Sequence, residues 1–386
     1  MKIVIFDGTF LTTSFIRRLV KGLVKKHKVY ILGFNLEIDT KIDGVKYVSL
    51  GSNKSTIKFF LFSLFNAIKL NKLNAFIMKV IESDRRSSLQ KMNAEYFIKQ
   101  IKPDIIHLQW LSNISVFEDL IEESHLNFVL SQRGYHLNVR PFVDKENFEY
   151  LQYWYPKIKG FHSVSNAIKN LSNKIYNSEK KIDKVVYSGF NLSKLEFKLN
   201  RNNNRIEILS VGRMQWIKGY NYAIKAMKLL HNNGIDFTYT IVGLKPSEEL
   251  LYLINDFELS SKIFFKDKLT QAEVYNEMAS SDIFLLPSIE EGIANVCIEA
   301  MALGLTVLST DCGGMEELIN HNKNGFIVPK RNPKKIAEKI IEFSKMDSKE
   351  IEKIKYSARK KVEEQHNQSK MISDMEELYV SVYERN

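Results

Sequence analysis

Only two cysteines, Cys297 and Cys312, occur in 386 residues. A disulfide framework is therefore excluded, and a reducing compartment, by default the cytoplasm, is the expected setting. Long hydrophobic runs are also missing. The longest apolar stretch, 59–68, is interrupted by Ser63 and Asn66 and falls short of the ~20 residues a spanning helix needs. The run from Met1 to Phe6 is too short for a signal peptide and is cut off by Asp7. Neither a membrane crossing nor export is expected. No Asp-x-Asp occurs, and the eight histidines and two cysteines show no ligand spacing of metal-site type. A ribonucleoprotein-type aromatic motif and a helix-turn-helix signature are absent as well, so a nucleic-acid partner is not expected.

What is present reads as an ordinary globular chain: 44% hydrophobic and 26% charged residues, enough for two or three domains and a large core. The net charge of +11 is unevenly placed, with +13 on residues 1–200 and −2 on the remainder. A basic half attracts nucleic acid, anionic lipid or an anionic small molecule, and charge alone does not choose among them.

Short β-rich runs alternate with amphipathic stretches, the pattern of parallel sheets wrapped by helices. Strands are expected at Lys2–Phe6, Lys28–Gly33, Asp104–Leu108, Phe128–Ser131 and Gly160–Val164. After the polar run Asn200–Arg205 they resume at Ile206–Val211, Phe237–Val242, Lys262–Phe265, Ile283–Leu286 and Thr306–Ser309. From Pro333 to Tyr383 the pattern is almost wholly helical. The fold class is thus α/β, two Rossmann-like domains facing across a cleft, with C-terminal helices. The domain expectation is 1–190, a linker at 191–205, 206–365, and a terminal helix at 366–386 that would pack back on the first domain.

Three fragments of the second half carry chemistry. Gly212-Arg213 ends a strand and Lys218-Gly219 opens a helix, so two cations face one loop. They read either as solvated surface charges or as a planar fork and a point charge suited to a diphosphate. Glu291 lies in a strand-to-helix loop and Glu299 two turns inside the helix that starts near Asn295, whose amino end offers free N–H groups. Carboxylates so placed can accept sugar hydroxyls, or be ordinary surface acids, as Glu290 beside Glu291 cautions. Gly313-Gly314 follows another strand, allowing either a close ligand approach or a plain turn.

Taken in order, Gly212-Arg213, Lys218-Gly219, Pro287-Ser288, Glu291-Gly292, Glu299-Ala300-Met301-Ala302-Leu303-Gly304, Gly313-Gly314-Met315-Glu316-Glu317-Leu318-Ile319 and Asn324-Gly325 resemble the second domain of family 4 glycosyltransferases, which have the two-Rossmann GT-B fold. The match covers about 206–330. The first half resembles the family through Asp7-Gly8-Thr9, Asp104-Ile105-Ile106-His107, Ser163-Val164-Ser165 and Val186-Tyr187-Ser188-Gly189.

The resemblance implies transfer of a sugar from a nucleotide diphosphate donor, UDP- or GDP-linked, with retention and without a bound metal or other cofactor. Carried over, Arg213 and Lys218 would hold the diphosphate beside Gly212, Glu299 the ribose and Glu291 the donor sugar. Gly292, Ile293, Ala294, Asn295 and Val296 would offer amides to the sugar and distal phosphate, Leu269 would meet the nucleobase, and Gly8 would bring backbone to the leaving phosphate. Departures occur in the first half. Gln109 stands where many members have a second histidine, and Gln132-Arg133-Gly134-Tyr135-His136 replaces a His-Gly pair. Arg133, His107 and His136 therefore either touch the acceptor or donor sugar or serve buried hydrogen bonding.

The reading is a metal-independent, retaining glycosyltransferase acting on a glycan or lipid-linked glycan acceptor in cell-surface polysaccharide biosynthesis, lipopolysaccharide or capsule. Two rivals stand: a nucleotide-sugar epimerase or hydrolase on the same fold, and a non-catalytic nucleotide-sugar-binding module. Finally, Lys54 to Lys79 holds five lysines and no acid, interleaved with phenylalanine, leucine and isoleucine. This is either a core helix with a solvated lysine face or a peripheral contact with the anionic inner face of a membrane.

Overall fold

The computed structural model describes every residue except 11, 35–37, 39, 83, 124, 200–204, 244 and 386. Among the described residues there are thirteen strands: β1 (Lys2–Phe6), β2 (Lys28–Gly33), β3 (Lys46–Ser49), β4 (Ile105–Leu108), β5 (Phe128–Gln132), β6 (Gly160–Ser163), β7 (Ile182–Val185), β8 (Ile206–Val211), β9 (Phe237–Val242), β10 (Ile263–Lys266), β11 (Ile283–Leu286), β12 (Thr306–Thr310) and β13 (Phe326–Val328). They form two sheets, one in each of two compact units.

The first unit, Met1–Gly189 with Gln368–Asn386, has a seven-stranded sheet in the order β3-β2-β1-β4-β5-β6-β7. All neighbours are parallel, with Ile3 registered on Val29 and on Ile105. Helices cover both faces, so the strands are buried twice over and read as continuous apolar runs. On β1, Val4 and Phe6 enter one core cluster while Ile3 and Ile5 enter the other. Each such side chain contributes about 1.5–3 kcal/mol on burial. The helix Gln368–Tyr383 seats Met371, Met375, Leu378, Tyr379 and Val382 in the second of these clusters.

The second unit, Phe190–Asn367, has a six-stranded parallel sheet, β10-β9-β8-β11-β12-β13. The same parity holds on β11, with Ile283 and Leu285 on one face and Phe284 and Leu286 on the other. Helices Pro333–Lys345 and Ser348–Gln365 follow the last strand.

Two Rossmann-like sheets match the expected class, and the ten strands expected from the sequence are found. Three more, β3, β7 and β13, escaped the pattern. The first two are half-buried edge strands carrying Lys46 and Asp183-Lys184, polarity that protects an edge and blurs the apolar signal. The third is three residues long. The segment assigned to a linker also differs. Phe190 and Leu195 are buried in the second unit's core, and the Arg359 guanidinium donates to the Leu195 carbonyl at 2.9 Å. Residues 191–199 therefore belong to that unit. Asn200 to Asn204 lie outside the described residues. No helix among the described residues is long and apolar enough to cross a membrane.

In each sheet the strand order reverses once, between β1 and β4 and between β8 and β11. Ligands of open parallel sheets bind outside the carboxyl ends of the strands at such points.

Candidate active site

The loops after β8 and β11 meet at the second unit's reversal point. Gly212 leaves little room for a side chain: a Cβ there would lie 2.9 Å from the Tyr220 hydroxyl, which would have to shift, and 3.6 Å from Lys218 Cε. Arg213 follows, exposed. A short 3₁₀ turn, Trp216–Lys218, ends at Gly219 in the left-handed region, φ +67, and a Cβ at Gly219 would strike the Pro287 carbonyl oxygen at 2.1 Å. The β8 loop and the β11 loop are thereby pressed together, and the Ile289 N–H donates to the Ile217 carbonyl at 2.7 Å.

That closeness brings two of the expected residues into contact. Lys218 Nζ lies 2.5 Å from Glu291 Oε1, both side chains largely buried, and Ser288 Oγ donates to the same oxygen at 3.1 Å. Oε1 is thus doubly engaged, while Oε2 has no hydrogen-bond partner among the described residues. Glu290 points to a different cation, Lys330, so the structure separates the adjacent acids. The loop is pinned from β12 as well. Thr310 Oγ1 donates to the Ser288 carbonyl at 2.5 Å and the Gly314 N–H to the Gly292 carbonyl at 2.8 Å. A Cβ at Gly313, φ +56, would lie 1.8 Å from the Glu291 carbonyl oxygen. The double glycine thus admits the protein's own backbone.

The helix Asn295–Leu303 begins directly after this loop. Its N-cap is Ala294, which offers no side-chain acceptor. The Ala294 N–H, expected to meet a ligand, instead points at Met315 Sδ at 3.4 Å and the Cys297 N–H at the Ala294 carbonyl, which leaves the Asn295 and Val296 N–H groups without a partner among the described residues. Gly292 and Ala294 are buried, whereas Ile293, Asn295 and Val296 are partly exposed. Glu299 lies inside this helix, accepting from Gln271 Nε2 at 3.0 Å and the Tyr275 hydroxyl at 3.1 Å. Both partners sit on the helix Gln271–Ala279, and half-buried Leu269 lies two residues before it. Glu299 is therefore oriented by neighbours that sequence reasoning missed, since Gln271 and Tyr275 form no motif with it. Arg213 makes no hydrogen bond or ion pair with Lys218 or Glu291 among the described residues. Sequence reasoning also missed a cavity of about 450 Å³ whose walls include Gln215, Trp216, Tyr222, Glu249 and Arg331, but not Arg213, Glu291 or Glu299.

The first unit's reversal point is built differently. Gly8, φ +93, follows β1, and a Cβ there would find only Asn113 Oδ1, at 3.9 Å, so its backbone is open to approach. Beside it, burial pushes the Asp7 carboxyl up to about 7. His107 is a correction. It is fully buried, with Nδ1 2.7 Å from the Tyr379 hydroxyl and Nε2 2.8 Å from Ser131 Oγ. With both nitrogens occupied it cannot touch acceptor or donor sugar. Ser131 Oγ also meets His162 Nδ1 at 2.8 Å and Arg133 Nη2 at 2.6 Å. The Arg133 guanidinium is buried between the Phe15 and Trp110 rings, 4.3 and 5.5 Å from their centroids, and burial lowers its pKa to about 9. His136 is half-exposed and held neutral at pH 7, chiefly by burial and then by Arg140. Of the three first-unit candidates it alone keeps an accessible ring. Among the described residues no three His, Cys, Asp or Glu side chains gather as metal ligands would.

Residues 193–361 match the family model described as glycosyl transferases group 1. The second unit is a group 1 glycosyltransferase domain. The chain is 34% identical over 180 residues to a putative colanic acid biosynthesis glycosyltransferase of Escherichia coli, covering 45% of this chain and 44% of that protein. Similarity to the amylovoran biosynthesis glycosyltransferase of Erwinia amylovora is 35% over 170 residues, 42% of each chain. A capsular polysaccharide biosynthesis glycosyltransferase of Staphylococcus aureus is 28% identical over 232 residues, 55% of this chain and 59% of that one. The matched stretch spans about half the length of these relatives. Two solved structures extend the likeness of fold to the whole chain. A Rickettsia africae glycosyltransferase has TM-score 0.74 at 21% identity, covering 100% of this chain and 99% of its own. Anabaena HepE, in complex with UDP and glucose, has TM-score 0.73 at 15% identity, covering 99% and 100%.

Proposed function

We propose that the protein is a retaining glycosyltransferase that moves a sugar from a UDP- or GDP-sugar to a glycan or lipid-linked glycan in the assembly of a cell-surface polysaccharide, without a bound metal. The observation that carries this reading is the Lys218–Glu291 contact at the foot of the uncapped helix Asn295–Leu303. It puts an ammonium, a carboxylate with one oxygen to spare and the N–H groups of Asn295 and Val296 at a single strand-order reversal. Names borne by the relatives, capsular polysaccharide biosynthesis among them, support the acceptor class. The UDP and glucose held by HepE support the donor class.

As the acceptor hydroxyl oxygen bonds to the anomeric carbon, the bond from that carbon to the diphosphate oxygen breaks, the diphosphate gains charge in the transition state, and the hydroxyl proton passes to the departing diphosphate. Lys218, Arg213 and the helix amides act most strongly on that charge, so they stabilise the transition state more than the intact donor. Glu291 Oε2 orients the sugar ring, and Glu299, steadied by Gln271 and Tyr275, takes the ribose. With two cations supplying the electrophilic assistance, a metal is dispensable.

The test is thermal stabilisation of the full chain by UDP, GDP and a panel of their sugars, followed by transfer assays with and without chelator. Stabilisation by one nucleotide family and transfer of unchanged anomeric configuration with chelator present are expected. An inverted product, or activity abolished by chelation, overturns the retaining and metal-free assignments respectively.

A further inference from the structure

In the first unit, helix Thr56–Lys69 turns polar side chains inward beside the apolar Phe59 and Ala67. Its inward face carries polar side chains: Ser63 and Asn66 are buried with Asn93 of the helix Arg85–Ile101. Asn66 Nδ2 donates to Asn93 Oδ1 at 3.0 Å, and Asn93 Nδ2 donates to Ser63 Oγ at 2.9 Å and to the Leu50 carbonyl at 3.0 Å. Rolling the helix would strand these buried groups without partners, which is costly. The network therefore fixes the rotation, and the rotation sends an apolar stripe outward: Ile57, Leu61, Phe65 and Ile68, at helical spacing.

The next helix, Leu73–Ile81, packs against it and buries none of its residues. It presents Leu73, Ile77, Met78 and Ile81, and the eight residues of the two stripes are 44% to 75% exposed. Exposure on this scale on adjacent helices marks an interaction surface. The sequence pattern alone had pointed to the same stretch but not to this face, for Phe59 turns into the core and the apolar surface runs on to Ile81.

Charge selects the occupant. Between 54 and 86 there are seven cations and two acids. Lys72 and Lys79 are drawn to Glu95 and Asp119, while Lys58, Lys69 and Arg85 stay exposed around the stripes. A protein partner with a matching apolar groove would gain little from that ring of cations. A bilayer with anionic head groups uses both features, apolar side chains in the acyl boundary and cations at the phosphates.

We propose that the paired helices Thr56–Lys69 and Leu73–Ile81 dock the protein on an anionic lipid surface. The full chain should float with vesicles of phosphatidylcholine and phosphatidylglycerol, bind pure phosphatidylcholine far less, and release at high salt. Leu61→Ser with Phe65→Ser should lower vesicle partitioning by about tenfold or more, since two large side chains no longer leave water. Both positions are exposed, so the melting temperature should hold. Ile77→Ser with Ile81→Ser should act in the same direction. Lys58→Glu with Lys69→Glu should weaken binding only to the anionic vesicles. The proposal is overturned if the wild type ignores vesicles, if both serine pairs float as it does, or if it is a dimer that the serine substitutions dissociate, which would assign the face to a second copy.

Discussion

The two units wind their strands in the same order around the reversal point, yet they use that point in opposite ways. In the second, polar side chains after β8 and β11 keep unspent capacity: Arg213 is exposed, Lys218 shares only part of its ammonium with Glu291, and Glu291 keeps Oε2. In the first, Ser131, His107 and His162 spend theirs on one another, on Tyr379 and on the Val186 carbonyl, while Arg133 gives Nη2 to Ser131 and keeps a buried Nε without a partner among the described residues. The difference teaches that a shared topology provides a place for chemistry without deciding which chemistry occupies it. Open capacity makes a site; closed capacity makes a polar core.

The strongest test of this contrast removes the open cations. Arg213→Ala and Lys218→Ala should each lower the turnover number about 10²–10³-fold, the scale for deleting one preorganised electrostatic contact to a leaving group. Arg213→Ala should leave stability within about 0.5 kcal/mol, because the side chain is exposed. Steady-state kinetics with a fixed donor checks both, and unchanged turnover would return the two residues to the surface.

Next in size is the backbone that presses Glu291 into place. Gly313→Ala sets a Cβ against the Glu291 carbonyl at a positive φ, which should cost about 2–4 kcal/mol and shift the loop. Chemical denaturation measures the first effect and donor affinity the second. Should the variant be as stable as wild type with unaltered affinity, the loop is not held in the way described.

The first unit predicts an acid sensitivity of its own. Burial, reinforced by Arg133, lowers the His162 pKa to about 3, and burial holds His107 well below its usual value. Both stay neutral in the fold and take up protons on unfolding, so below pH 6.5 the unfolded chain binds more protons and stability falls with pH. The loss continues until the folded values are reached. Between pH 6.5 and pH 5 it amounts to about 2 kcal/mol for His162 alone. His162→Gln, which retains hydrogen-bonding capacity, should flatten the dependence of melting temperature on pH. An identical slope in the variant would place the sensitivity elsewhere.

The same contrast explains what could be read before the structure. The second unit's chemistry sits in short stretches, Gly212 to Gly219 and Pro287 to Glu299, where residue order mirrors proximity. Glycines at 212, 219 and 313 mark places where neighbouring groups crowd the backbone. The first unit's network joins His107 to Tyr379, 272 positions away, and Ser131 to His162, 31 away, and no local pattern signals such pairs. His107 looked available because only its tertiary partners show that it is not. Similarly, an edge strand such as Ile182–Val185 hides behind its own charges, while the buried β11 announces itself.

The smallest expected effect is also the sharpest discrimination. Glu290 and Glu291 are neighbours of identical chemistry, and composition cannot rank them. Geometry can: Glu290 pairs with Lys330 near the surface, Glu291 with Lys218 and Ser288 beneath the helix terminus. The Glu290–Lys330 pair is partly buried but the more accessible of the two, 25% and 37% against 16% and 20% for Glu291 and Lys218. Pairs open to solvent are worth little, so Glu290→Gln should leave turnover within about twofold and cost at most about 1 kcal/mol. Glu291→Gln keeps the size of the side chain but weakens its hold on both Lys218 and the sugar hydroxyl, and should lower kcat/KM about 10²-fold, because hydrogen bonds from a charged acceptor are the stronger kind. Measured side by side on one donor, the two isosteric substitutions compare the pair nearer solvent with the pair proposed to face the donor, at a distance of one residue. Equal losses would mean that the loop, and not the carboxylate at 291, is what the reaction requires.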